Sequence, residues 1–124
     1  MLKFYRCKHC GNLIAMVNDA KVNPICCGEK MELLVPGSVE ASVEKHIPEY
    51  KVKDGILEVV VGSIAHPMLD NHYIEWVAYE SEEGFAIKYL KPGMEPKVEF
   101  ALKEGETVLR VYSYCNLHGL WVKE

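Results

Sequence analysis

The sequence predicts a mainly β protein: a small metal-stapled unit at the N-terminus, followed by an antiparallel β-sandwich or barrel. Three observations carry this. Four of the 5 cysteines crowd into the first quarter of the chain. The remainder carries short runs in which apolar and polar residues alternate, the period expected of half-buried strands. Turn signals separate those runs at short, regular spacing, and no long helix is discernible.

The first unit is read as residues 1–36. Cys7-Lys8-His9-Cys10-Gly11-Asn12 opens it and Cys26-Cys27-Gly28 closes it, with a turn at Asn18-Asp19 between. So short a segment buries too little apolar surface to fold alone, and a metal held by four thiolates would staple it. Pro36-Gly37-Ser38 reads as a linker. The second unit, 37–124, shows alternation over Leu57–Val61, Ile74–Tyr79 and Val98–Leu102, and a β-branched, aromatic-rich run from Val108 to Tyr114. Asp54-Gly55, Glu83-Gly84, Lys91-Pro92-Gly93 and Glu104-Gly105 punctuate these runs. Glu40 to Lys45 has room for one helical turn before Pro48 stops it.

Composition narrows the function classes. Of the 124 residues, 49% are apolar and 26% charged, the balance of a globular chain, and the formal net charge is −4. No basic stretch is available to neutralise phosphates, which argues against nucleic acid as a partner. The longest apolar run is far too short to span a bilayer, so no membrane association is expected. The opening Met-Leu-Lys-Phe-Tyr-Arg-Cys lacks an apolar leader, and the expected location is the cytoplasm. An odd, clustered cysteine set in a reducing compartment points to metal and not to disulfides.

Cys7, Cys10, Cys26 and Cys27 make the first candidate site. A Cys-x2-Cys knuckle presents two thiolates from one turn, and the adjacent pair Cys26-Cys27 supplies two more in a strained arrangement that Gly28 would relieve. Four sulfurs suit zinc and iron alike, so a zinc clip that only folds the segment stays open beside a redox iron. His9, inside the knuckle, is expected to be solvent-exposed and not a fifth ligand. The second candidate site rests on Cys115-Asn116-Leu117-His118-Gly119, a turn after a strong strand signal that can bring a thiolate and an imidazole to one ion. The N–H groups of Leu117 and His118 are placed to donate to that sulfur. His46, His66 and His72 each fall at a loop edge in the same unit. A lone histidine is more often a surface or hydrogen-bonded core residue, and a lone cysteine a small buried apolar group. The joint placement of four histidines and one cysteine is what points to a metal.

These motifs resemble a known family. Glu44-Lys45-His46-Ile47-Pro48, Gly62-Ser63-Ile64-Ala65-His66-Pro67-Met68, His72-Tyr73-Ile74-Glu75-Trp76 and Tyr114-Cys115-Asn116-Leu117-His118-Gly119 resemble the catalytic domain of superoxide reductases, and residues 1–36 look like desulforedoxin. Together they resemble the two-iron class, the desulfoferrodoxins. The resemblance implies an immunoglobulin-like sandwich, homodimers, reduced rubredoxin as electron donor, and two non-haem irons, with zinc able to replace iron in the four-cysteine site. It implies that His46, His66, His72 and His118 form the equatorial plane of the second iron and that Cys115 is its axial ligand. Glu44 would approach the opposite axial position in the ferric state, and Lys45 would lie over the open site of the ferrous state. The reaction implied is one-electron reduction of superoxide to hydrogen peroxide. The rival readings are a rubredoxin-like electron carrier on an inert scaffold, a zinc-stapled interaction domain and a dismutase. Trp76, Trp121, Tyr112 and Tyr114 are read as core or strand packing and not as redox relays.

Overall fold

The computed structural model describes all 124 residues. The chain divides into two compact units, Met1–Val35 and Pro36–Glu124. In the first, β1 (Phe4–Arg6) lies between β2 (Leu13–Ala15) and β5 (Glu32–Leu33) in an antiparallel sheet. β3 (Ile25–Cys26) and β4 (Glu29–Lys30) form a two-residue hairpin. The core of this unit is Tyr5, Cys7 and Met31, with Met16 and Cys26 packed alongside. Side chains of this size contribute about 1.5–3 kcal/mol each when buried. Ordering a chain segment costs about 1–2 kcal/mol per residue. So small a core needs a cross-link.

The second unit starts with a single helical turn, α1 (Val43–His46), and continues through seven strands. These are β6 (Pro48–Lys53), β7 (Ile56–Val61), β8 (Ile74–Ser81), β9 (Gly84–Tyr89), β10 (Lys97–Ala101), β11 (Val108–Cys115) and β12 (Gly119–Lys123). They form two antiparallel sheets, ordered β10-β7-β6 and β12-β11-β8-β9, the seven-strand pattern of an immunoglobulin-like sandwich. The alternation in the sequence is the packing. Leu57, Val59 and Val61 are fully buried while Glu58 and Val60 face out, and Val98 and Phe100 point inward between exposed Lys97, Glu99 and Ala101. Ile74, Val77, Tyr79, Val111 and Cys115 complete the core from the other sheet.

Three strands go beyond the sequence expectation. β6 opens on a proline and is rich in charge, and β9 is an edge strand exposed on both faces, so neither shows a period-2 signal. β12 follows directly from the Cys115–Gly119 turn. Residues 36–38, expected as a free linker, are pinned: Gly37 N–H donates to the Leu120 carbonyl at 2.8 Å.

The register sets the two ends of the sandwich apart. Val61, Ile74, Cys115 and Gly119 lie at one end, with the loops that carry the histidines. The turns after Lys53, Ser81 and Ala101 lie at the other. At the first end the β8–β11 ladder slips by one residue, so that Ile74 and Trp76 pair with Cys115 and Tyr114 and Glu75 is extra. Such a bulge bends the strand where a side chain must be re-aimed. Here both Ile74 and Cys115 turn into the core.

Candidate metal centres

The thiol sulfurs of Cys7, Cys10, Cys26 and Cys27 all lie within 4.8 Å of one another. Cys10 and Cys26 are 3.6 Å apart, and Cys26 and Cys27 4.0 Å. A tetrahedron with metal–sulfur bonds of about 2.3 Å has edges of about 3.8 Å, so the donor set fits one tetrahedral ion. The backbone shows what the adjacent pair demands: Cys27 has φ 53° and Gly28 φ 75°, two successive residues in the left-handed region. The Cys10 backbone N–H draws the Cys7 thiol down to about 6. Its neighbours, Cys10 first, push Cys26 up to about 12. Four thiolates this close require a cation among them. His9 is exposed and pairs with Glu29 across the knuckle, outside the sulfur cluster.

The second cluster is built from four segments. His46 ends α1, and its Nδ1–H donates to the Ser42 carbonyl at 2.6 Å. His66 follows β7, and its Nδ1–H donates to the Pro67 carbonyl at 2.7 Å. His72 is held by a two-way backbone bridge to Leu69, 2.9 and 3.2 Å. Asn116 clamps the same loop. Its Oδ1 accepts from Tyr73 N–H at 2.9 Å, and its Nδ2 donates to the Asn71 carbonyl at 3.0 Å. Cys115 and His118 flank the turn between β11 and β12.

These residues converge. The ligand atoms of His46, His66, His72 and Cys115 all lie within 4.8 Å of one another. His118 Nδ1 lies 3.0 Å from His46 Nε2 and 3.9 Å from the Cys115 sulfur. A carbonyl oxygen only accepts, so the rings of His46 and His66 carry their proton on Nδ1 and a lone pair on Nε2. Those two Nε2 atoms face each other at 3.1 Å. No proton is available between them, and His72 Nε2 is buried with no partner at all. Two Nε2 lone pairs facing each other beside a buried nitrogen without a partner are the signature of a cation site. Burial holds all three rings below the ordinary histidine range, with His66 at about 4, so they are neutral donors at pH 7. Burial pushes the Cys115 thiol up, while the N–H groups of Leu117 and His118 donate to its sulfur and draw it down. A buried thiolate beside four imidazoles suits a transition metal.

Gly62 positions the His46 side of the cluster. Its φ is +87°, and a Cβ there would lie 2.4, 2.7 and 2.9 Å from the carbonyl oxygens of Ile64, Lys45 and Glu44. Its N–H donates to the Ile47 carbonyl at 3.0 Å, and Ile64 N–H and Ser63 Oγ–H donate to the Glu44 carbonyl at 3.1 and 3.2 Å. Lys45, half-buried beside this staple, places its positive charge where it disfavours protonation of both His46 and His72. The Glu44 carboxylate is not brought into the cluster. It accepts from Ser42 Oγ at 3.5 Å and lines a cavity of about 470 Å³ with Val43, Ile47, Glu49, Ser63 and Lys123. Ser113 and Trp121 were not legible as site residues. Ser113 Oγ–H donates to the His46 carbonyl at 2.8 Å, and Trp121 stacks on the His46 ring with centroids 5.0 Å apart.

Comparison with known proteins follows the same division of the chain. Residues 38–124 match the family model described as Desulfoferrodoxin, and residues 1–34 match its N-terminal domain. The chain is 39% identical over 122 residues to the desulfoferrodoxin of Nitratidesulfovibrio vulgaris, covering 98% of this chain and 95% of the relative. It is 41% identical over 124 residues to that of Syntrophotalea carbinolica, covering 99% and 96%. The crystal structure of the superoxide reductase from Treponema pallidum superposes with a TM-score of 0.85 at 37% identity, covering 100% of this chain and 99% of that one.

Proposed function

The chain belongs to the desulfoferrodoxin family, and on that premise we propose that His46, His66, His72, His118 and Cys115 hold the iron at which it reduces superoxide to hydrogen peroxide. It is an oxidoreductase acting on superoxide, with two iron centres, one of four cysteines and one of four histidines and a cysteine. The observation that carries the residue assignment is the convergence of the imidazole nitrogens, those of His46 and His66 unprotonated, with the buried Cys115 sulfur. Iron supplies the one-electron change in O2•− + e− + 2H+ → H2O2, which zinc, having no redox chemistry, does not.

The chain's own residues do the rest. Burial keeps the imidazoles of His46, His66 and His72 neutral, so these three offer lone pairs and not positive charge to the site. Lys45 supplies local attraction for an anion on a protein whose net charge is −4. Its ammonium would also order a water to supply protons to the product oxygens. Cys115, as thiolate, would help hold the iron and supply it with electron density, and the N–H groups of Leu117 and His118 that donate to its sulfur would moderate that supply. Glu44, whose carboxylate here accepts from Ser42 Oγ outside the cluster, would turn toward the site to cap it after product leaves.

Cys7, Cys10, Cys26 and Cys27 hold the other iron, or zinc in its place, and staple a unit that cannot fold on its own core. The reading extends to domains at 1–36 and 37–124, a reduced rubredoxin as donor, a homodimer and a cytoplasmic location. No helix is long and apolar enough to cross a membrane. The test is anaerobic: reduced, iron-loaded protein is mixed with a superoxide pulse, and peroxide and dioxygen are counted. Fast oxidation of the histidine–cysteine iron with peroxide and no matching dioxygen is expected. An unreactive iron at full occupancy would leave an electron carrier.

A further inference from the structure

We propose that Ser113 and Trp121 form the scaffold that fixes His46 against His118, which makes Trp121 a positioning residue of the second metal centre and not a mere part of the core. The two are direct cross-strand partners in the β11–β12 ladder, and both are buried. From that one rung they hold His46 twice. The indole lies over the imidazole with centroids 5.0 Å apart and planes at 29°. The Ser113 hydroxyl donates to the His46 carbonyl at 2.8 Å. The same indole also holds His118, because its Nε1–H donates to the His118 carbonyl at 3.1 Å.

His46 and His118 stand 72 residues apart in the chain, yet their Nε2 and Nδ1 atoms approach to 3.0 Å. Local sequence cannot arrange that approach, whereas a rung touching both can. A buried indole N–H needs some acceptor. Taking the carbonyl of a ligand residue ties the ring's position to the ligand turn. The stack fixes the plane of the His46 ring, and the Ser42 carbonyl fixes which nitrogen is protonated, so only Nε2 is left to the ion. Partners of metal ligands typically contribute 10- to 100-fold in metal affinity.

This inference rests on the assignment of the four histidines and Cys115 to one iron. The test follows iron release to a chelator from full-length, iron-loaded protein, read at the thiolate-to-iron absorption of the ferric second centre. Trp121→Phe keeps a ring over His46 but removes the N–H. Trp121→Leu removes both, and Ser113→Ala removes the bond to His46. Release about 10- to 100-fold faster is expected for Trp121→Leu. Smaller accelerations are expected for the other two, with a displaced absorption maximum in all three. A purely structural role predicts a lower thermal midpoint with an unmoved maximum. Release rates and maxima like those of the wild type in Trp121→Phe and Ser113→Ala would overturn the proposal, even where the leucine variant does not fold. No superoxide enters this measurement. A wild-type site that retains iron but ignores superoxide would sink the functional reading and leave this one standing.

Discussion

Replacing Gly62 by alanine should damage the second centre through geometry alone. An alanine at φ +87° carries backbone strain of about 1–2 kcal/mol. The larger effect comes from contact. An ordinary carbon–oxygen approach is about 3.3 Å, whereas the new Cβ would meet the Ile64, Lys45 and Glu44 carbonyls at 2.4, 2.7 and 2.9 Å. Relief at Ile64 alone requires a shift of about 0.9 Å (about 3.3 minus 2.4). All three obstacles are backbone, so no side-chain rotation absorbs that shift, and overpacking of this kind costs a further 1–3 kcal/mol, roughly. The loop that must move carries Lys45 and His46. Gly105→Ala is the control, because Gly105 has φ +81° with nothing within 4 Å of the added atom. For a domain of this size 1 kcal/mol displaces Tm by about 4–8 °C. Gly62→Ala should therefore melt about 10 °C below Gly105→Ala. Its iron should react with superoxide about tenfold to a hundredfold more slowly, the usual consequence of misplacement by about 1 Å. Paired calorimetry and superoxide-pulse kinetics measure both. Equal melting temperatures for the two variants would refute the idea that the carbonyl cradle holds the ligand loop.

Other perturbations separate the remaining roles. Lys45→Ala should slow superoxide capture about tenfold at low salt and leave the ferric spectrum intact, with the deficit shrinking as the screening length falls to about 10 Å near 0.1 M; salt-independent kinetics would remove the steering role. Cys115→Ser should abolish the thiolate-to-iron absorption of the second centre and spare that of the four-cysteine centre, and survival of the band would mean that the ligand set is wrong. Asn116→Ala leaves the Tyr73 N–H without its 2.9 Å acceptor, so amide exchange there should accelerate and stability fall by about 1–3 kcal/mol. In metal-free protein burial holds His66 at about 4, below its ordinary 6.5. The unfolded chain then takes up a proton that the folded chain refuses, so this contribution is complete above about 6.5 and is lost as pH falls toward 4. Urea midpoints that stay level across that window would show that the ring is not buried neutral.

The parts of this fold legible in the sequence are those where one face of a strand is buried and the other is not. Leu57, Val59 and Val61 announce β7, and Val98 and Phe100 announce β10. β9 gives no such signal because both its faces are exposed. At the second centre the donor types are legible, since four histidines and a cysteine cluster at loop edges. The choice of ring nitrogen is not. It depends on the carbonyls of Ser42 and Pro67, which orient His46 and His66 through Nδ1, while His118 presents Nδ1 itself. Nor does the sequence disclose that Gly62 faces carbonyls of Glu44 and Lys45, or that Ser113 and Trp121 share a rung, because both facts arise from register between distant segments.

Every candidate ligand of the second centre enters from one end of the sandwich, and the hairpin turn at Glu82-Glu83 lies at the other. It is fastened by an exposed 2.9 Å pair between Glu83 and Lys103 and by the Glu83 N–H, which donates to Ser81 Oγ at 3.2 Å, both remote from the ligand loops. Tight exposed turns of this kind accept inserted peptide with little disturbance. A linker placed between Glu82 and Glu83 would tether the sandwich by the end away from its ligand loops, leaving that end unencumbered by the attachment.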